Sequence, residues 1–160
     1  KDKFLAFWFN YVFKNSSLLE IGQIEPVIEE IKSTFNEKYV AYAFEDYARE
    51  EILNDPLNLL GFIPEKIGRW WNNKQEIDLL ALDQRRVAFI ECKWRNQPVG
   101  YNVYLDLVNK SRLINTDLEP SYVIFSKNGF KQGLQDIDNL KCITYNPPSC
   151  DDATSRYKVL

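Results

Sequence analysis

Three ionisable residues stand inside two apolar, strand-like runs. Asp78 lies in Glu76-Ile77-Asp78-Leu79-Leu80-Ala81-Leu82, and Glu91 and Lys93 lie in Val87-Ala88-Phe89-Ile90-Glu91-Cys92-Lys93-Trp94. An unpaired charge in such surroundings costs on the order of a whole domain's net stability. Charges are kept there when they compensate one another, or when a metal or a substrate does so. The runs are separated by Asp83-Gln84-Arg85-Arg86, which suits a hairpin turn. A loop symmetric about Gln84 and Arg85 sets Leu82 against Val87 and, counting outward, Asp78 against Glu91. Opposed residues share a face with Cβ atoms ~4.5–5.5 Å apart, and the period of two adds Lys93 to that face. Two carboxylates that close repel unless a cation lies between them. Hard divalent ions such as Mg²⁺ or Mn²⁺ take oxygen ligands of this kind. The competing reading is a buried structural ion pair of Lys93 with Glu91 or Asp78.

A second Glu-x-Lys, Glu30-Ile31-Lys32, serves as an internal control. It lies in a helical pattern, where residues two apart do not face each other.

The elements that must position these residues follow from spacing. Ile24, Val27, Ile28, Ile31 and Phe35 predict an amphipathic helix over 24–35. Asn36 is expected to cap a second helix over 37–53, ended by Asn54-Asp55-Pro56. On that helix Glu45 neighbours Ala41, Phe44, Ala48 and Ile52, so it either points toward the core or lies at the helix boundary with its tip in solvent. Phe62 to Trp71 reads as a first strand, bent or at an edge because of Pro64 and Gly68. The Asp78 and Glu91 strands follow, then a helix over 100–115 with Tyr101, Tyr104, Leu105 and Val108 on one side. A strand over 121–125, a short helix near 130–138 and a last strand over 142–145 complete the order. Asn146-Pro147-Pro148-Ser149 breaks regular structure before the tail.

Composition narrows the chemistry. The 160 residues suit one domain with its own core. There is no histidine, which removes a Ser-His-Asp triad, His-ligated zinc and His general bases. Cys92, Cys142 and Cys150 show no metal-ligand spacing and no secreted disulfide framework, so they read as reduced thiols of a cytoplasmic protein, the first two in strands. No Walker-type phosphate loop is present. A net charge of −3 argues against a surface that coats nucleic acid, while leaving room for a local basic groove. Lys66, Arg69, Lys74, Arg95, Lys110, Arg112, Lys127 and Lys131 come from segments near the candidate site.

The apolar run from Phe4 to Phe13 is too short to span a bilayer and lacks a signal-peptide pattern. It is expected to form a helix that packs on the core or docks an upstream domain. The chain opens on Lys1, as expected of a piece of a longer protein. Gly68-Arg69-Trp70-Trp71 also carries two readings: tryptophans packed in the sheet, or aromatic and arginine side chains stacking on exposed bases. Arg69 is the better phosphate contact.

A helix glutamate, an aspartate on the second strand and Glu-x-Lys on the third together resemble the PD-(D/E)XK nuclease superfamily. Phe4 to Phe13, Phe44-Glu45, Gly68-Arg69-Trp70-Trp71, Glu76-Ile77-Asp78 and Glu91-Cys92-Lys93-Trp94 are similar, more closely, to the domain of unknown function at the C-terminus of archaeal P-loop ATPases. The resemblance covers about 1–145. It implies an α/β fold with a restriction-endonuclease-like αβββαβ core, a mixed central sheet flanked by helices, and an N-terminal helical extension. The implied organisation is an extension over 1–36, a nuclease-like core over 37–146 and a tail over 147–160. It also implies metal-dependent hydrolysis of DNA by Glu45, Asp78, Glu91 and Lys93. Asp78, Glu91 and the Cys92 backbone carbonyl would ligate Mg²⁺ or Mn²⁺, Glu45 would act through water, and Lys93 would position the attacking water. Arg69, Lys74, Arg95 and Lys110 are the candidate nucleic-acid contacts, and an upstream ATPase domain is the expected partner in the same chain. A catalytically silent module that docks DNA or protein is the alternative. The chain has no Pro-Asp pair, because Ile77 precedes Asp78, and many members also lack that proline.

Overall fold

The computed structural model describes residues 2–146, the side chains of Glu37 and Lys38 excepted; Cys150 and the tail over 147–160 lie outside the described residues. Its centre is a five-stranded mixed sheet in the order β1 (Lys66–Trp71), β2 (Glu76–Leu82), β3 (Arg86–Lys93), β4 (Glu119–Ser126), β5 (Leu140–Thr144). The first three strands form an antiparallel meander, while β4 runs parallel to β3 and β5 parallel to β4. A short polar loop can only return the chain antiparallel, whereas the β3–β4 step needs a crossover helix. That helix is α6 (Tyr101–Ser111).

Helices cover both faces of the sheet. On one side Phe44, Ala48 and Ile52 pack on Leu79, Ala81, Ala88, Ile90, Val123 and Phe125. On the other, Val103 and Leu107 of α6 pack on Val87, Phe89, Tyr122 and Ile124. Strand β3 is therefore buried on both faces, which explains its near-continuous apolar run. The buried stripe of α6 is Val103, Leu107 and Ser111. That corrects the expected side in part: Tyr104 and Val108 pack half-buried against the same core, while Tyr101 and Leu105 are exposed.

The helical boundary expected at Asn36 does not form. The helix α3 (Ile24–Phe35) runs through a π-helical stretch, Asn36–Val40, into α4 (Ala41–Asn54). Asn36 has helical backbone angles (φ −64°, ψ −40°) and does not start the next helix, whose N-cap position is Val40. Widening the helix by a π turn shifts which side chains downstream face the sheet. Here it precedes the face that carries Phe44 and Glu45. The stop at Asn54 is as expected, and Asp55 then caps a short helix unseen in the spacing, α5 (Pro56–Leu60). Gly61 ends it in the left-handed conformation (φ 78°), which favours glycine. The expected helix near 130–138 reduces to a 3₁₀ turn, Leu134–Asp136. The first strand is shorter than expected, but it does lie at the sheet edge.

The aromatic N-terminal run is helical, as expected, and packs on α3. After α1 (Lys3–Phe7) and the π-helical Trp8–Phe13 comes α2 (Ser16–Glu20). Phe7 and Tyr11 contact Phe35, and Tyr11 is buried with its hydroxyl 3.2 Å from Thr34 Oγ1. Phe4, Leu5, Trp8, Phe9 and Phe13 stay exposed. Among the described residues no helix is long and apolar enough to cross a membrane.

Candidate active site

Hairpin register is the first determinant of the site. Leu82 pairs with Val87, Ala81 with Ala88, Leu80 with Phe89 and Leu79 with Ile90. That is the register read from the loop as far as Leu79; the expected pair of Asp78 with Glu91 is not part of the ladder. The turn is locked by Asp83, whose Oδ1 accepts from the backbone N–H groups of Arg85 (2.8 Å) and Arg86 (2.7 Å). These bonds, the Arg85 one first, hold the Asp83 carboxyl below its ordinary range.

One step beyond Leu79 the ladder gives way to a side chain. Asp78 Oδ2 accepts the backbone N–H of Cys92 at 2.7 Å, tying β2 to β3 where strand pairing ends. A bulge on the other edge of β2 shares this place. Gly68 pairs with Leu80 but Trp70 pairs with Ile77, so Asp78 and Leu79 together oppose Arg69. An extra residue in one strand turns the side chains beyond it over. Ile77 accordingly belongs to the α6-side core while Leu79 belongs to the α4-side core. Periodicity alone could not place this change of face.

Glu91 is 3% exposed and engages two ammonium groups. Lys93 Nζ contacts Oε1, and Lys110 Nζ lies 3.4 Å from Oε2 and 3.0 Å from Asp106 Oδ2. The control behaves as expected: Glu30 pairs with Lys14, and Lys32 with Glu29. Glu45 projects from α4 and is largely buried, in contact with the Arg69 guanidinium. Arg69 also lies over the Tyr42 ring, 4.6 Å from its centroid. Glu45, Asp78 and Lys93, with Tyr42, Arg69, Trp70, Trp71 and Cys92, line one cavity of about 570 Å³. Glu91 sits buried beside it, joined to it through Lys93.

Electrostatics mark this cavity as short of positive charge. Burial, reinforced by Glu91, pushes the Asp78 carboxyl up to about 6, although the Cys92 N–H and Lys93 oppose the rise. Burial and then Asp78 push Glu45 up to about 8 despite its Arg69 contact. The contact and the raised value pull against each other. Burial prevails because the guanidinium is 41% exposed and therefore screened, while the carboxyl is largely shut from water. Burial and the same acids raise the Cys92 thiol well above its ordinary value, so it stays protonated and inert. Burial pulls Lys110 down, but Glu91 and Asp106 outweigh it and raise the ammonium.

These shifts set a pH dependence. A carboxyl whose folded pKa is raised binds its proton more tightly in the folded state, so its presence costs stability as pH rises through the window. For Glu45 that window runs from 4.5 to about 8. In chelator, Glu45→Gln is expected to flatten the loss of stability over this range and to exceed the wild type by about 2 kcal/mol at pH 8.5. Arg69 and the open side of the cavity reduce the gain below the full shift. Denaturant midpoints of both proteins across pH check this. Parallel curves would show that Glu45 is not strained by its surroundings.

The remaining candidates are placed as follows. Lys110 had been expected at a nucleic-acid surface, but its side chain is only 14% exposed and turned to Glu91 and Asp106. Arg69 is engaged by Glu45 and Tyr42. Lys74 is exposed in the turn between β1 and β2. Arg95 is half-buried, and its Nε has no hydrogen-bond partner among the described residues. Of the tryptophans, Trp70 packs on the α6-side core, but Trp71 is 72% exposed rather than packed in the sheet. The roles of Lys110 toward Glu91 and of Tyr42 beside Arg69 were missed in the sequence. The opposite charges of Asp106 and Lys110, four apart on one helix, were the only signal for the former.

Comparison with known proteins places the chain among uncharacterised relatives. A family described as archaea bacterial proteins of unknown function, DUF234, matches residues 8–109. The uncharacterized protein MJECL04 of Methanocaldococcus jannaschii is 36% identical over 152 residues, which covers 91% of this chain and 33% of that protein. The chain thus spans about a third of the length of the curated relative it matches. No solved structure matches it.

Proposed function

The chain belongs to the DUF234 family, and on the geometry of its site we propose that it is a metal-dependent phosphodiesterase acting on DNA, with a restriction-endonuclease-like core of the PD-(D/E)XK type. The observation that carries this reading is the meeting of Asp78, Lys93 and Glu45 in one cavity at the end of the β2–β3 hairpin, with Glu91 buried against Lys93. Three carboxylates from three elements are brought together at a cost, and two of them are pushed well above their ordinary range. Glu91 is balanced by its two lysines, but structural packing alone gives no reason to keep the Asp78 and Glu45 carboxyls together.

Among the described residues, no three acidic or cysteine side chains form a ready metal cage. The donors nevertheless suit a hard divalent cation. They offer only oxygen, and Mg²⁺ typically needs one or two carboxylates while keeping several waters. Asp78 Oδ1 makes no hydrogen bond among the described residues, its Oδ2 being held by the Cys92 N–H. Asp78 and Glu91, with the Cys92 carbonyl, would hold the ion, and Glu45 would reach it through water. When bound, Mg²⁺ or Mn²⁺ lowers the pKa of a coordinated water and stabilises charge on the phosphate.

The chain's own groups do the rest. Lys93 carries a positive charge at the cavity wall, held by Glu91, where it can orient water and offset charge on a phosphate oxygen. The Cys92 N–H fixes Asp78 in place before any ligand arrives. Lys110 sets a second ammonium against the other Glu91 oxygen, which offsets the cost of burying that side chain. No histidine is needed for any of these roles.

The greater length of the Methanocaldococcus relative suits a domain that is one part of a larger polypeptide, with an ATPase portion as the proposed partner. The engagement of Glu91 by two lysines favours a second reading, a silent nuclease fold that docks DNA or protein. Cleavage of supercoiled and linear DNA in Mg²⁺ or Mn²⁺ separates the two. Metal-dependent cutting lost in Lys93→Ala is expected. No cutting in either metal, together with no Mn²⁺ affinity, would leave the docking module.

A further inference from the structure

Building on the nuclease reading, we propose that the strand bound at this site is unpaired, and that Trp71 is the platform on which one of its bases stacks. Trp71 closes the edge strand β1 and lines the same cavity as Asp78 and Lys93. At 72% exposed it is the most exposed tryptophan among the described residues. A large apolar ring left in water at the rim of a charged cavity contributes nothing to the fold. Its neighbour Trp70 shows the alternative, being packed against the α6-side core. A base held in a duplex has its faces covered by its neighbours in the stack, whereas an unpaired base offers one to an aromatic ring.

The charges at the site point the same way. Duplex binding without stacking rests on many phosphate contacts to lysine and arginine. Here Lys93 and Lys110 are engaged by Glu91, and Arg69 by Glu45. The cavity wall adds Glu76 and Asp78, and the whole chain carries a net charge of −3. With both cations of the cavity wall, Arg69 and Lys93, already paired with carboxylates, stacking has to supply much of the affinity there, and Trp71 is placed to supply it. Tyr42, another residue of the cavity lining and 52% exposed, already carries Arg69 on its ring. It offers a second aromatic surface for the adjoining nucleotide.

The test is fluorescence anisotropy of the wild-type protein with a labelled thymidine oligonucleotide and with a blunt duplex of the same length. Ca²⁺ supplies an oxygen-liganded cation in place of Mg²⁺. The unpaired strand is expected to bind at least about tenfold more tightly than the duplex. Trp71→Ala should weaken the unpaired strand by about tenfold or more and leave the duplex unchanged, with Trp71→Phe restoring most of the loss. Because the ring is exposed, thermal melts of both variants should match the wild type. Equal or tighter duplex binding, no binding of either, or an unaffected Trp71→Ala would overturn the proposal. Cleavage in Mg²⁺ separates it from the reading it rests on. Cutting of plain duplex that is indifferent to Trp71 sinks the strand preference and keeps the nuclease. Preference for the unpaired strand without cutting in Mg²⁺ or Mn²⁺ keeps the preference and sinks the nuclease.

Discussion

Asp78→Asn is expected to lower metal-dependent DNA cleavage by about a hundredfold to a thousandfold while leaving the fold intact. Asparagine has the same shape, and its carbonyl oxygen can still accept the Cys92 N–H that Asp78 Oδ2 accepts at 2.7 Å. The tie between β2 and β3 therefore survives. What is lost is one negative charge from a cavity already crowded with them. Stability in chelator should hold or rise, because the second-largest cause of the raised Glu45 value is Asp78 itself. Mn²⁺ affinity should fall with the cleavage rate. Loss of activity with unchanged Mn²⁺ binding would remove Asp78 from the ligand set. Unchanged activity would remove it from the mechanism altogether. Read together, the rate, the affinity and the melting temperature separate a ligand from a merely structural acid.

Glu91→Ala should instead act mainly on stability, with a loss of about 3 kcal/mol and a fall in melting temperature of about 6–12 °C. The Glu91 side chain is 3% exposed, and its removal leaves Lys110, only 14% exposed, without its inner partner. Asp106 retains part of that ammonium's field, which keeps the loss toward the lower end of values for broken buried pairs. A double-mutant cycle with Lys110→Ala should return a coupling of about 1 kcal/mol or more, since the lone buried ammonium is then removed as well. A melting temperature within a degree or so of wild type for Glu91→Ala would show that the lysines swing out to water at no cost. Because this change also removes a proposed ligand, its activity has to be read at a temperature where both proteins are folded.

How far the site was legible depends on the range of the interaction. The β2–β3 register followed from a short loop and a period of two, both local properties, so Leu82 against Val87 and the common face of Glu91 and Lys93 were readable. Glu45 was readable as an acid on a helix face shared with Ala48 and Ile52. The bulge opposite Arg69 was not, because no residue type in β2 marks it. Asn36 looked like a cap because asparagine is often one. The chain instead continues helically through it, since Phe35 and Tyr39 stack on one another and both meet Phe7 edge-on. That contact spans nearly the whole extension. The buried face of α6 was legible only in part: Tyr104 and Val108 of the expected side do pack against the core, but the residues buried most fully are their neighbours Val103 and Leu107.

Sequence by itself determined the strands, the hairpin and which side chains could do chemistry without histidine. These rest on periodicity, turn residues and the energetic cost of a charge in an apolar strand, all of which act within a few residues. Only the tertiary structure decided what each charge meets. Glu91 is met by Lys110 from the crossover helix, Glu45 by Arg69 from the edge strand, and Trp71 is left open to solvent. Those outcomes depend on how the helices cross the sheet, and that is set by the summed packing of both cores.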